Sequence, residues 1–263
     1  MNYGEVMPFP PSNKLVRVDV GELKQTHLKI MKKSRILFYL FLVLFVPASA
    51  EEVSASFSKA VTKIYKYDYL VILPDNYKPS DKLPLLFFLH GAGERGENLQ
   101  QVKKHGPFKA IKEKGVQTII VAPQCPKDEW WNPEVLAGLL DEIQKKYSVD
   151  ETRVYVTGLS MGGYGAWALA AHDPDRFAAV APICGGGDPA DAKKLIGIPV
   201  WAFHGDKDTS VALTKGQAMI DSLKEAGGDP KFTVYEGVGH DSWTKTYEDP
   251  AFYTWLFAQQ REK

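Results

Sequence analysis

Arg153-Val154-Tyr155-Val156-Thr157-Gly158-Leu159-Ser160-Met161-Gly162-Gly163-Tyr164-Gly165-Ala166-Trp167-Ala168 is the stretch that decides the fold. Arg153 to Thr157 are β-branched and aromatic enough to read as a buried strand, and the small apolar residues from Gly163 onward suit a tightly packed helix. Between them Gly-x-Ser-x-Gly leaves no room for a loop. The chain must turn sharply with Ser160 at the apex in a strained conformation, and flanking glycines let strand and helix approach closely. Ser160 is then held out at the sheet edge over the positive end of the following helix, which favours a developing oxyanion. Such a serine is read as a nucleophile, because the strand and helix around it give the bare motif its specificity.

A serine hydroxyl attacks poorly until an imidazole takes its proton, and a carboxylate fixes that imidazole's tautomer and stabilises its cation. Pro199-Val200-Trp201-Ala202-Phe203-His204 reads as a buried strand running into Gly205-Asp206-Lys207-Asp208-Thr209-Ser210-Val211. Two carboxylates compete there for the acid's role, and Asp206 also suits a turn residue that caps local backbone N–H groups. Lys231-Phe232-Thr233-Val234-Tyr235-Glu236 reads as a further strand, followed by Gly237-Val238-Gly239-His240-Asp241-Ser242-Trp243. Of the six histidines, His27 precedes the secretory segment, His90 precedes the nucleophile, His105 and His172 fall on helical segments, and His204 ends a strand. Those five are read as surface or hydrogen-bonded core histidines. His240 is the one on a glycine-flanked loop at the end of the last strand.

Leu83-Pro84-Leu85-Leu86-Phe87-Phe88-Leu89 is a continuous apolar run, as expected of a central parallel strand covered on both faces. It feeds His90-Gly91-Ala92-Gly93-Glu94-Arg95-Gly96, where Glu94 and Arg95 are read as an ion pair bracing the loop. Apolar strands alternate with helical stretches at 133–147 and 210–226, the latter stopped by Gly227-Gly228. That alternation gives an α/β class with a doubly wound sheet.

Segments 83–96, 154–186 and 199–243 together resemble the esterases of the dienelactone hydrolase, phospholipase/carboxylesterase and polyhydroxybutyrate-depolymerase-like branch of the α/β-hydrolase superfamily, whose bacterial members are often labelled prolyl oligopeptidase-type hydrolases. The resemblance covers most of the chain after residue 50. It implies an α/β-hydrolase fold, a mostly parallel twisted sheet with helices on both faces, and first strands near Val61 and at 67–73 lying antiparallel at one edge. It implies the chain order Ser, acid, His, and in hydrolases with His-Gly-x-x-Asp-x-x-Val the second Asp orients the base, which favours Asp208 over Asp206. The catalytic set it implies is Ser160, Asp208 and His240, with the backbone N–H groups of Ala92 and Met161 as the oxyanion hole. It implies ester hydrolysis without metal or organic cofactor, and no particular ester. Little sequence separates 183 from 199, where lids commonly enter in lipases, so no large lid domain is expected.

A chain of 263 residues at 44% hydrophobic composition suits one α/β domain with a sizeable core. The formal net charge of +0 gives no electrostatic reason to expect nucleic acid or an anionic membrane as partner. Lys32-Lys33-Ser34-Arg35, the apolar run 36–46 and Pro47-Ala48-Ser49-Ala50 read as a signal peptide, so the protein is expected to be secreted or periplasmic. The run is shorter than the roughly 20 residues of a transmembrane helix, so no stable membrane partner is expected after cleavage. Met31 directly before the basic pair suggests that translation starts there. The chain is therefore read as 1–30, an upstream extension without a folded role; 31–50, the signal peptide; and 51–263, the catalytic domain. Export makes an oxidising compartment plausible, but Cys125 and Cys184 follow strands that are not neighbours in the usual order. They are read as unpaired thiols, since bridged cysteines need Cα atoms within about 7 Å.

Trp130, Trp131 and Trp243 fall in loops at the strand ends that carry the site, where aromatic faces can stack on sugars or aromatic acyl groups. Trp243 and Trp131 are taken as candidate substrate contacts, whereas Trp167, Trp201 and Trp255 read as core. The leading reading is a secreted serine carboxylesterase acting on small or polysaccharide-linked esters, feruloyl or acetyl groups among them. A lipase or polyester depolymerase, a serine peptidase and a non-catalytic binding protein on a hydrolase scaffold stay open as alternatives.

Overall fold

The computed structural model describes residues 63–262. The upstream extension, the signal peptide and the expected strand near Val61 lie outside the described residues. Seven strands, β1 (Asp68–Ile72), β2 (Leu83–Leu89), β3 (Ile119–Gln124), β4 (Val149–Leu159), β5 (Ala179–Ile183), β6 (Trp201–Gly205) and β7 (Lys231–Tyr235), form one sheet in the order β1-β3-β2-β4-β5-β6-β7. β1 runs antiparallel to β3 at the edge, and every other neighbouring pair is parallel. This is the α/β-hydrolase fold. β2 and β4 stand between β3 and β5, and Cys125 and Cys184, just beyond those two strands, are buried and unbridged.

Successive side chains of a strand point to opposite faces, and that period of two divides the core. Leu85, Phe87 and Leu89 of β2 pack with α2 (Pro133–Lys146), α3 (Met161–His172) and α4 (Leu213–Glu225). Leu86 and Phe88 pack on the other face with α1 (Phe108–Glu113), α5 (Trp243–Glu248) and α6 (Pro250–Ala258). Leu136, Leu139, Leu140 and Ile143 supply the buried stripe of α2 at helical spacing. Asn132 caps that helix, its Oδ1 accepting from Glu134 N and Val135 N, and Pro133 occupies its first turn. In α4 the stripe is Gly216, Met219, Ile220 and Leu223, and the helix stops where Gly227 takes φ +96°. α3 is buried on nearly all sides and rests against the sheet centre, which fixes its N-terminus at the carboxyl end of β4. A short 3-10 segment, Pro189–Leu195, is the ordered element between β5 and β6, so the sheet carries no inserted lid domain there.

Candidate active site

Ser160 sits between β4 and α3 at φ 54° and ψ −117°, a conformation that L-residues rarely adopt. Its N–H donates to Ile183 O at 2.9 Å, and its carbonyl accepts from Tyr164 N at 3.1 Å, so neighbouring strand and helix hold the strain. A Cβ on Gly162 would run into the backbone of Leu89, and one on Gly158 into the carbonyl of Gly162. The glycines of the motif are therefore required by contact as well as by conformation.

The loop after β6 brings Asp208 beneath the site. Its side chain is fully buried. Oδ1 accepts from Ser210 N and Val211 N at 2.9 Å each, and Oδ2 accepts from His240 Nδ1 at 2.7 Å. Since a carboxylate accepts at that bond, the proton belongs on Nδ1, and Nε2 is left to accept from Ser160 Oγ at 2.9 Å. Ser160 and His240 are both partly open to solvent, so a substrate can reach the pair.

Asp206 is not near the imidazole in this network. Its Oδ1 accepts from Gly237 N at 2.7 Å, in the loop after β7 rather than in its own turn. Gly237 has φ +70°, and Lys207 N donates to Val238 O at 2.9 Å, so the acid loop and the base loop are stitched together. A Cβ on Gly205 would collide with the carbonyls of Val238 and Gly239, which shows how closely these loops pass. The base loop then runs straight into α5, with Asp241 Oδ1 accepting from Thr244 N at 3.0 Å. Trp243 is therefore the first residue of a helix rather than a loop residue, and its half-buried ring stands edge-on to His240 at 5.3 Å.

The segment after β2 turns at Gly91 into a 3-10 turn, Ala92–Glu94. Neither the N–H of Ala92 nor that of Met161 has a protein partner among the described residues, so both donors are unpaired beside Ser160's loop and helix. His90 fixes this segment: Nδ1–H donates to Gly91 O at 2.6 Å and Nε2 accepts from Cys125 N at 3.0 Å. Burial pushes the His90 pKa down to about 4, so the ring is neutral and its two nitrogens keep distinct roles.

Three expectations need correction. Trp131 is 2% exposed and lies in the core, donating from Nε1 to His90 O at 3.2 Å and packing edge-on to His90 and Tyr67. It braces the loop from beneath and offers no face to a substrate. Its neighbour Trp130 is the exposed one, edge-on to Tyr164 at 6.1 Å. Glu94 and Arg95 do not pair: Glu94 turns inward, 3.8 Å from His105 Nε2, with its pKa raised by burial, while Arg95 donates to Ala92 O and Glu129 O. His105 lies in a bend ahead of α1, not within a helix.

The sequence reading missed two close neighbours of the site. His204, fully buried, places Nε2 at 2.9 Å from Val211 O and 3.3 Å from Asp208 Oδ2, so it flanks the acid from the strand side. Cys184, at φ 41°, puts its thiol within 4.8 Å of the Asp208 carboxylate and the His240 ring, and burial raises its pKa. The signal for His204 was its spacing of four residues before Asp208.

Residues 52–252 match the dienelactone hydrolase family. The chain belongs to that family. Over 169 residues this family member is 30% identical to a bifunctional acetylxylan esterase/xylanase of Neocallimastix patriciarum, a match covering 60% of this chain and 24% of that protein. Over 185 residues it is 26% identical to feruloyl esterase C of Emericella nidulans, covering 65% of this chain and 66% of the relative. The chain thus spans under two thirds of the length of these relatives. A crystal structure of a thermostable esterase aligns at TM-score 0.69 and 34% identity, over 73% of this chain and 59% of that one.

Proposed function

We propose that this dienelactone hydrolase family member is an exported serine carboxylesterase that removes acetyl or feruloyl groups from polysaccharide-linked or small esters. One observation carries the reading: Ser160 Oγ, His240 and Asp208 form an unbroken hydrogen-bonded chain at 2.9 and 2.7 Å, with the serine open to solvent. The names of the two relatives support the ester class. The basic, apolar and small-residue succession at 32–50 supports export.

In the proposed cycle Ser160 Oγ–H gives its proton to His240 Nε2 as Oγ bonds to the ester carbonyl carbon. The carbonyl oxygen becomes an oxyanion facing the N–H groups of Ala92 and Met161, donors of the kind worth about 10²–10³ in rate each. The bond from carbon to the alcohol oxygen then breaks, and the proton on Nε2 passes to the leaving alcohol. Water attacks the acyl-enzyme, His240 taking its proton and returning it to Ser160 Oγ as the acid departs. Asp208 keeps Nδ1 protonated throughout, and each proton moves only between Ser160, His240, the leaving alcohol and water. Trp243 beside His240 and the exposed Trp130 are the aromatic faces available to substrate.

The test is hydrolysis of a p-nitrophenyl ester series from acetate to palmitate and of methyl ferulate, with Ser160→Ala as the blank. Short-chain or ferulate turnover that vanishes in the variant is expected. A long-chain optimum would favour a lipase, and silence across the series would overturn the esterase reading.

A further inference from the structure

A cleft of about 490 Å³ lies between α1, the bend before it and α5. That volume is in the range of sites that take a ligand of a few rings. Trp243 is its wall on the side of the triad, since the same ring stands edge-on to His240 at 5.3 Å and lies 5.5 Å from His105. Phe108 and Tyr247 add further aromatic surface. The rim is basic: Lys103, Lys104, Lys109 and Lys114 line it against two carboxylates, Glu113 and Glu248. Glu113 is already engaged by Lys109 at 3.9 Å. Lys103 and Lys104 are exposed and have no acidic partner among the described residues. The whole chain has a formal net charge of +0, so this excess of cations is a local segregation rather than a general property of the surface.

We propose that this cleft is the subsite for the alcohol half of the ester, and that it takes a sugar chain bearing carboxylates, a uronate-substituted polysaccharide. The inference rests on the esterase reading above and names its substrate class. Three physical points lead to it. His240 Nε2 hands its proton to the leaving alcohol, so the alcohol lies on the imidazole's side of Ser160, and Trp243 joins that side to the cleft. Aromatic rings set in an open cleft pack against the C–H faces of sugar rings, which bury apolar area while the hydroxyls stay in water. Unpaired lysines around such a floor favour an anionic chain over a neutral one, and at exposed sites each pair contributes a few-fold in affinity that salt screens away. A neutral acyl group alone gives these lysines nothing to bind.

The test compares kcat/KM on acetylated oligosaccharides of equal length with and without a glucuronate branch, alongside p-nitrophenyl acetate. It uses wild type and the double variant Lys103→Glu/Lys104→Glu, whose sites are exposed and whose folding is followed by circular dichroism. Wild type is expected to prefer the acidic substrate by about 3- to 10-fold at low salt, through KM rather than kcat. That ratio should fall towards one at 0.5 M salt, and should drop below one in the double variant. Equal rates on the two oligosaccharides, or a preference that survives charge reversal, would overturn the subsite while leaving the esterase intact. No turnover even of p-nitrophenyl acetate would overturn both readings together.

Discussion

Replacing Trp131 by phenylalanine separates a core role from a substrate role. In the structure its Nε1–H is the donor to His90 O, 3.2 Å away, and the indole is 2% exposed against His90 and Tyr67. Phenylalanine keeps an aromatic edge in place but leaves that carbonyl with one partner fewer, in a site water does not reach. An unsatisfied buried acceptor costs about 1–3 kcal/mol. The smaller ring also leaves a void, for which about 1 kcal/mol is a reasonable addition. A domain of this size loses about 2–4 °C in Tm per kcal/mol, so the variant should melt roughly 10 °C below wild type. The Ala92 N–H lies two residues beyond the loosened carbonyl, so kcat should fall for acetate and ferulate esters alike, with the ratio of their KM values unchanged. Calorimetry and steady-state kinetics on both esters check this. An unchanged Tm together with a KM that rises for methyl ferulate alone would return Trp131 to the substrate site and refute the argument.

Other consequences follow from the same geometry. Asp208→Asn should lower kcat by about 10³-fold or more, because an amide can leave the wrong nitrogen of His240 protonated, whereas Asp206→Asn should cost under tenfold; paired kinetics decide, and the reverse order would exchange their roles. Gly162→Ala should fail to fold or melt more than 10 °C lower, since its Cβ has nowhere to go but the Leu89 backbone; a Tm within 2 °C of wild type would contradict the close approach. His90 has an ordinary pKa near 6.5 lowered to about 4 in the fold, so the unfolded chain binds the extra proton between those values. That stability is fully present above pH 6.5 and is lost as pH falls towards 4, about 3 kcal/mol in all. His90→Gln should therefore flatten the decline of Tm over this window; an identical slope in both proteins would show that His90 is not the group that takes up the proton. Glu94, raised by burial, works with the opposite sign in both proteins and cancels in the comparison.

The parts of the site legible in the sequence are those whose chemistry forces a local pattern. A strained serine between strand and helix needs its glycines, and parallel strands covered on both faces need unbroken apolar runs, so 153–168 and 83–89 could be read without coordinates. His240 was accessible for the same reason, as a polar residue in a glycine-bearing loop that ends an apolar strand, whereas Asp208 shares its loop with Asp206 and was favoured by the family resemblance alone. Burial within a loop has no such pattern. Trp130 and Trp131 are adjacent in one loop, one exposed and the other buried, and nothing in their spacing says which is which. The absent Glu94–Arg95 pair has the same origin, since neighbouring opposite charges look like partners until the backbone turns one of them inward. The lysines at 103, 104, 109 and 114 carry no pattern in the sequence that marks a cleft, because only the packing of α1 against α5 sets them around one.

Backbone contact, more than side-chain bonding, sets the tolerances of this site. The Ser160 loop touches the end of β2 through Gly162, and the acid loop passes under the base loop through Gly205. At each crossing the next larger residue would push one loop away from the other by roughly the radius of a methyl group. A displacement of about 1 Å at the reacting atoms can cost about 10²-fold in rate. Gly205→Ala should accordingly lower kcat by about that factor, with KM little changed, because Asp208 and His240 would part while the sheet beneath them stays intact. An alanine variant with full kcat would show that the two loops adjust independently, and that the hydrogen bonds of Asp206 and Lys207 suffice to hold the triad together.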